Sequence, residues 1–212
     1  PIRYCAKEQQ DIFAYRLCGN DGYYWDVGCN EPCHCKGDWG NNTYSLEKHH
    51  GWRGLLFDIR THYTDKEWDL KSRKKSKFFP IDVTSDEFSE VLKLQTEVDC
   101  VDYVSLDIDN NGTLSALDNI LKTNIPFKTM TLEHNDDIGE TERTKDVSRT
   151  MLKTNGYVPI FLDVKFYPRH SKETGIFEDW WVHPSYFNKK ITSIREEKLY
   201  YDECISKLPK RL

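Results

Sequence analysis

The stretch Gly22-Tyr-Tyr-Trp-Asp-Val-Gly28 constrains this chain more than any other. Aromatic residues lead into Asp26, and a glycine follows two positions later. This is the pattern of a buried strand ending in a turn where the backbone must come close to something. In an alternating α/β chain, ligands sit beyond the carboxyl ends of parallel strands. A strand Tyr23–Val27 closing on Asp-Val-Gly is therefore a candidate ligand strand. Asp-x-Gly occurs in many turns, so the reading gains weight only if later strands bring carboxylates to the same edge.

Later strands do so. Apolar runs at Gly54–Ile59, Phe78–Val83, Val101–Ile108 and Thr129–Leu132 read as four further strands. Pro80 cannot donate to a ladder, so the third belongs at an edge. Helices are expected over Lys7–Leu17, from the Asn42-Thr43 cap to about His50, over Asp86–Leu94, Thr113–Leu121, Glu140–Lys153 and Ile194–Leu208. Thr61 to Lys71 is weakly helical, and Asn155-Gly156 is a stop signal. Tyr157–Phe166 is a long strand, and Ile176–Val182 reads as its antiparallel partner. Alternation followed by a late strand pair predicts one α/β domain over residues 1–212 with a mostly parallel sheet. The loop Asn30–Asn41, rich in Gly and Pro, predicts no regular structure. The basic run Lys71–Lys77 reads as a solvated loop.

With 35 acidic and 30 basic residues the net charge is -5, which argues against an electrostatic nucleic-acid partner. No apolar run approaches the roughly 18 residues of a membrane span. The start lacks an initiator Met and an apolar leader, which predicts a cytoplasmic domain, trimmed or cut from a longer chain with neighbouring domains. Seven cysteines, Cys29, Cys33 and Cys35 clustered among them, read as reduced thiols, because C-x3-C-H-C is not paired zinc spacing.

The strand ends carry Asp26, Asp58, Asp82, then Asp107 and Asp109, then Glu133, His134 and Asn135. One such Asp is ordinary turn chemistry; five strands in a row predict a cofactor cleft. No G-x-G-x-x-G follows the first strand and no G-x-x-x-x-G-K-[ST] exists, so dinucleotides and triphosphates are disfavoured. Carboxylates suit ribose hydroxyls, an exocyclic amine and positive charge, and S-adenosyl-L-methionine has all three.

The motifs resemble the FkbM-type family of S-adenosylmethionine-dependent methyltransferases. The resemblance runs in order through Gly22–Gly28, Asn42–Glu47, Gly51–Asp58, Asp102–Asp109, Thr131–Asn135 and Asn155–Tyr157. It implies a Rossmann-like seven-stranded sheet, order 3-2-1-4-5-7-6, with the last strand antiparallel, and an O-methyltransferase acting on a sugar hydroxyl of a glycan or glycoconjugate. It places Asp26, Gly28, Asn30, Asn42 and Thr43 at the methionine end, Asp58 on the ribose, Asp82 near the adenine amine and Asp107 by the methyl group. The family often has Glu-Gly where this chain has Asp109-Asn110.

A sugar hydroxyl is a poor nucleophile and needs a base or a metal. The candidate bases are His134, Asp109 and Glu133; Asp107, Asp109 and Glu133 are the candidate ligands for Mg2+. Trp39, Trp180, Trp181 and Tyr186 could stack on a sugar or fill a core. Two other classes stay open: a nucleotide-sugar glycosyltransferase using Asp107-Ile-Asp109 as a metal clamp, and a cofactor-binding module without catalysis.

Overall fold

The structure is a computed structural model that describes residues 2–33, 35–36, 39–60, 72–108, 112–134, 142–167 and 175–210. Its main sheet contains β1 (Tyr23–Val27), β2 (Arg53–Asp58), β3 (Ser76–Pro80), β4 (Val101–Leu106), β5 (Phe127–Glu133), β6 (Val158–Lys165), β7 (Ile176–Val182) and β8 (Glu196–Glu197). The helices are α1 (Gln10–Cys18), α2 (Tyr44–His50), α3 (Asp86–Gln95), α4 (Thr113–Lys122), α5 (Glu142–Thr154), α6 (Lys189–Thr192) and α7 (Tyr201–Lys207).

The strand order is 3-2-1-4-5-7-6-8, with β7 antiparallel to both neighbours. This is the expected Rossmann-like order with one strand added. The expected last helix, Ile194–Leu208, divides. Glu196 and Glu197 pair with Phe161 and Leu162 of β6, and Lys198 then takes a left-handed φ of 59°, which a helix cannot contain. Helix α7 starts only after Tyr200, whose N–H donates to Glu203 at 2.8 Å.

Alternation along each strand divides the core in two. Tyr23, Trp25 and Val27 face α3, α4 and α5 and pack with Phe88, Leu92, Leu117, Ile120 and Leu152. Tyr24 faces the other way, with Phe13, Leu17, Leu46, Cys204 and Ile205 from α1, α2 and α7. Trp180 and Trp181 take one face each and are fully buried, so they fill core and cannot stack on a sugar. The side chain of Trp39 lies outside the described residues, as does the expected helical stretch 61–71.

Two sequence expectations fail in the loop after β1. It contains a two-stranded ribbon, Cys35–Lys36 against Trp39–Gly40. Cys35 is also not a free thiol; it is bridged to Cys5. Asp11 makes the encounter possible by accepting from the Cys5 and Ala6 N–H groups at 2.7 and 3.1 Å, which fixes the segment before α1 beside the ribbon. Cysteine spacing along the chain cannot reveal so nonlocal a contact.

Candidate functional site

The carboxyl ends of β1, β2, β4 and β5 open onto a cleft with two lobes that share Gly28, Asn30 and Asp107. Gly28 sits where they meet, at φ 82°, and a Cβ there would lie 1.9 Å from the Asp107 carbonyl oxygen. Only glycine permits this approach of β1 to β4. The Gly28 and Cys29 N–H groups both donate to Phe57 O, which folds the turn over the end of β2.

The first lobe, about 410 Å³, lies beyond β2 and β3. Its apolar walls are Ile59, Ile81, Val83 and Ile108, and its acids are Asp58 and Asp82. Ile59 is 65% exposed, a large apolar side chain left uncovered at the rim. Asp58 is buried and accepts from the Asn30 and Arg60 N–H groups, each at 2.9 Å and each on a different oxygen. Asp82 is exposed. Its side chain accepts from the Thr84 hydroxyl and N–H, which hold its carboxyl below the ordinary range.

The second lobe, about 270 Å³, is walled by the segment before α1, the loop after β1, and β5 and β7. Glu8, Asp107, Glu133 and Glu178 all line it, as do Phe166 and Phe177. Burial raises the Glu133 carboxyl well above its ordinary range, and a hydrogen bond to Asp107 with that group's charge adds to the rise. Burial also raises Glu178 well above its range, against a hydrogen bond from Trp180 Nε1 at 2.5 Å. Glu8 is raised by burial too, although Lys7, 3.0 Å away, opposes it. Neither Glu8 nor Glu178 was a candidate from sequence. Glu178 lies inside an antiparallel strand, and Glu8 precedes the first helix, so neither sits at a parallel strand's carboxyl end.

Asp26 is buried below the second lobe and accepts from Asn41 Nδ2 at 2.8 Å and Thr43 Oγ1 at 2.7 Å. Burial pushes its pKa up to about 6; the Thr43 hydrogen bond and the Arg73 charge hold it from rising further. Asn42 also lines this lobe and donates to Ser105 at 3.0 Å. Arg73 departs furthest from what its sequence context predicts. It belongs to the basic run expected to be solvated, yet it is 3% exposed.

His134 and Glu133 part company at the end of β5. His134 is buried, does not line the cleft, and contacts Asp179 at 3.3 Å. Arg149 holds both Asp179 oxygens at 2.7 and 2.8 Å and reaches Asp163 at 2.7 Å, where Lys145 joins at 2.9 Å. Burial alone would raise Asp179, but the Arg149 and His134 hydrogen bonds outweigh it and hold the carboxyl at about 2. The potential ligand atoms of His134, Asp163 and Asp179 lie within 4.8 Å of one another. The arginine and lysine already neutralise those carboxylates, so the group is an internal ion-pair network rather than a metal centre. Its imidazole is a brace for β5 and β7, not a base in the cleft.

For Mg2+, the fit is poor among the described residues. Asp107 and Glu133 hydrogen-bond to each other, which requires a proton between them, whereas Mg2+ takes deprotonated oxygens. Asp109 and Asn135 lie outside the described residues.

Comparison with solved structures gives the fold. An O-methyltransferase from Bacillus cereus in complex with SAH aligns over 86% of this chain and 84% of its own, with TM-score 0.51 and 11% identity. A dimethyladenosine transferase from Plasmodium falciparum aligns over 87% of this chain and 63% of its own, with TM-score 0.51 and 11% identity. This is the Rossmann-like methyltransferase fold. The same fold aligns at TM-score 0.57 and 12% identity with a protein of Lactococcus lactis described as a hemolysin, over 98% of this chain and 99% of that one. No family model and no curated protein matches the chain. No helix among the described residues is long and apolar enough to cross a membrane.

Proposed function

We propose that this chain is an S-adenosylmethionine-dependent O-methyltransferase of the FkbM type, acting on a sugar hydroxyl. The observation that carries the reading is the two-lobed cleft hinged on Gly28, with an acid at each strand end around it. The first lobe suits adenosine: apolar walls for a base, Asp58 for ribose hydroxyls, Asp82 for an exocyclic amine. Asp26, Gly28, Asn30 and Asn42 then line the methionine end, while Thr43, expected there too, is fully buried and reaches it only through Asp26. The fit is chemical: Gly28 leaves the backbone bare where a Cβ would fill the hinge, and the acids match the donors of the cofactor.

When bound, S-adenosylmethionine supplies an electrophilic methyl group on a sulfonium. The chain's own task is to hold the acceptor hydroxyl in line and take its proton. Glu133 is the group we assign to that proton, because its raised proton affinity suits a base and it lines the second lobe beside Asp107. Glu133 shares one proton with Asp107, so the pair keeps one carboxylate charge, and that charge would take the O–H proton as the methyl group passes from sulfur to the acceptor oxygen. A module that only bound cofactor would have no use for the buried carboxyls around Glu133, which cost stability. The Cys5–Cys35 bridge suits an oxidising compartment better than the cytoplasm.

The test is transfer of an isotope-labelled methyl group to a panel of glycans, neutral and amino-sugar members included, with and without EDTA. Label on a sugar oxygen, unaffected by EDTA, supports the reading. Label only on nitrogen, or on none of the panel, sinks the sugar-hydroxyl assignment.

A further inference from the structure

Arg73 uses all five of its N–H donors. Nε donates to Glu47 at 2.9 Å. One Nη donates to Asn41 Oδ1 at 3.0 Å and to the Pro32 carbonyl at 2.5 Å. The other donates to the Tyr24 hydroxyl at 2.6 Å and to Thr43 Oγ1 at 2.8 Å. A guanidinium can only donate, so each partner must accept there. That constrains the bonds downstream, together with the Thr43 N–H, which also donates to Asn41 Oδ1 at 3.0 Å. Asn41 must turn its oxygen to Arg73, which leaves Nδ2 to donate to Asp26 and to the Cys29 carbonyl at 3.0 Å. Thr43 must accept from Arg73, and its single hydroxyl proton then goes to the nearer of two acceptors, Asp26 Oδ2 at 2.7 Å rather than Asn41 Oδ1 at 3.0 Å. Both donations land on Asp26 Oδ2. No donor among the described residues reaches Oδ1, on a carboxylate that is 1% exposed and lines the second lobe.

We infer that Arg73 is a positioning residue for the methionine end of the cofactor: it polarises Asn41 and Thr43 so that both saturate Asp26 Oδ2, leaving Oδ1 open to the methionine ammonium. The inference rests on the cofactor reading above. It gives the cleft an asymmetry. Arg73 braces β1, the loop after it and the start of α2, all on the second lobe's side, and contacts none of the groups that line the first lobe.

The experiment is calorimetric titration of the full chain with two probes. S-adenosylhomocysteine has both ends; 5′-methylthioadenosine lacks the amino acid. Arg73→Lys offers three donors from one point and cannot span both sides of the network. It should weaken S-adenosylhomocysteine by about ten-fold or more, the scale of one lost charge-assisted bond, and move 5′-methylthioadenosine by less than about two-fold. Asn41→Asp, which cannot donate to Asp26, should give the same split. Equal losses for both probes would show a merely structural arginine, and no loss would remove it from the site. If wild type binds neither probe, the cofactor reading fails, and the relay is read separately from the carbon-13 titration of the Asp26 carboxyl. Its midpoint, about 6 with Asp107 and Cys29 as its other ionisable neighbours, should rise in Arg73→Gln. An unmoved midpoint would overturn the relay.

Discussion

Glu133 and Glu178 are register partners across the antiparallel β5–β7 ladder, and both carboxyl groups line the same cavity. Like charges directly opposite on a sheet are destabilising. A fold that keeps them there, Glu178 buried and Glu133 half-buried, and adds Asp107 and Glu8, holds groups whose ionisation opposes folding. The next residue on each strand, His134 and Asp179, belongs to the ion-pair network that ties the two strand ends together. The brace and the strained pair are therefore neighbours by construction.

The first prediction concerns that pair. Both pKa values are raised in the folded state, by burial first. The folded chain then binds more protons than the unfolded one above the unfolded value near ~4.3, so stability falls as pH rises through the folded pKa. Glu133→Gln and Glu178→Gln should raise the melting temperature at pH 8 and change it little at pH 4, while Glu133→Gln abolishes methyl transfer. Scanning calorimetry at the two pH values checks this; a lower melting temperature at pH 8 would contradict it.

The brace has the opposite sign. Asp179 is held at about 2, so its contribution is full above the unfolded value near ~3.9 and is lost as pH falls toward 2. Asp179→Asn breaks a buried ion pair and leaves Arg149 partly uncompensated. It should cost about 3–5 kcal/mol at pH 7, measured by urea unfolding. A cost below about 1 kcal/mol would mean that the pair is idle.

Asp26 carries a pH dependence of function. Its ionised form is the one that attracts an ammonium, and burial pushes its pKa up to about 6. S-adenosylhomocysteine affinity should be level above neutrality and fall as pH drops through that value, whereas Asp26→Asn should bind weakly with no such step. A profile for wild type as flat as the mutant's would remove Asp26 from the methionine end.

The Cys5–Cys35 bridge ties two walls of the second lobe across a separation of 30 residues. Its reduction should lower stability by about 2–4 kcal/mol. Thiol titration of the denatured chain, before and after a reductant, should differ by two groups.

Much of the fold was legible because the signals are local. Tyr23–Val27 and Ile176–Val182 were bounded correctly from aromatic and β-branched runs alone. Alternation with helices made the parallel sheet legible, and the order of its strands was what the family resemblance implied. Asp26, Asp58 and Asp82 line the cleft where expected because a strand's carboxyl end is a sequence position as well as a place. The second lobe was largely hidden, because its groups reach it by tertiary routes. Arg73 looks like any lysine-rich loop residue until Tyr24, Glu47 and Asn41 surround it. Glu178 arrives on an antiparallel strand, which breaks the strand-end rule. His134 follows Glu133 in sequence, yet its ring goes to Asp179 rather than to the cleft.

The most direct measurement is a calorimetric titration of S-adenosylhomocysteine into wild type and Asp58→Ala. The account predicts saturable one-to-one binding to wild type. It also predicts a loss of about 1–3 kcal/mol in the variant, because ribose donors lose a buried acceptor. No binding to wild type, together with binding of a nucleoside diphosphate in the presence of Mn2+, would contradict it.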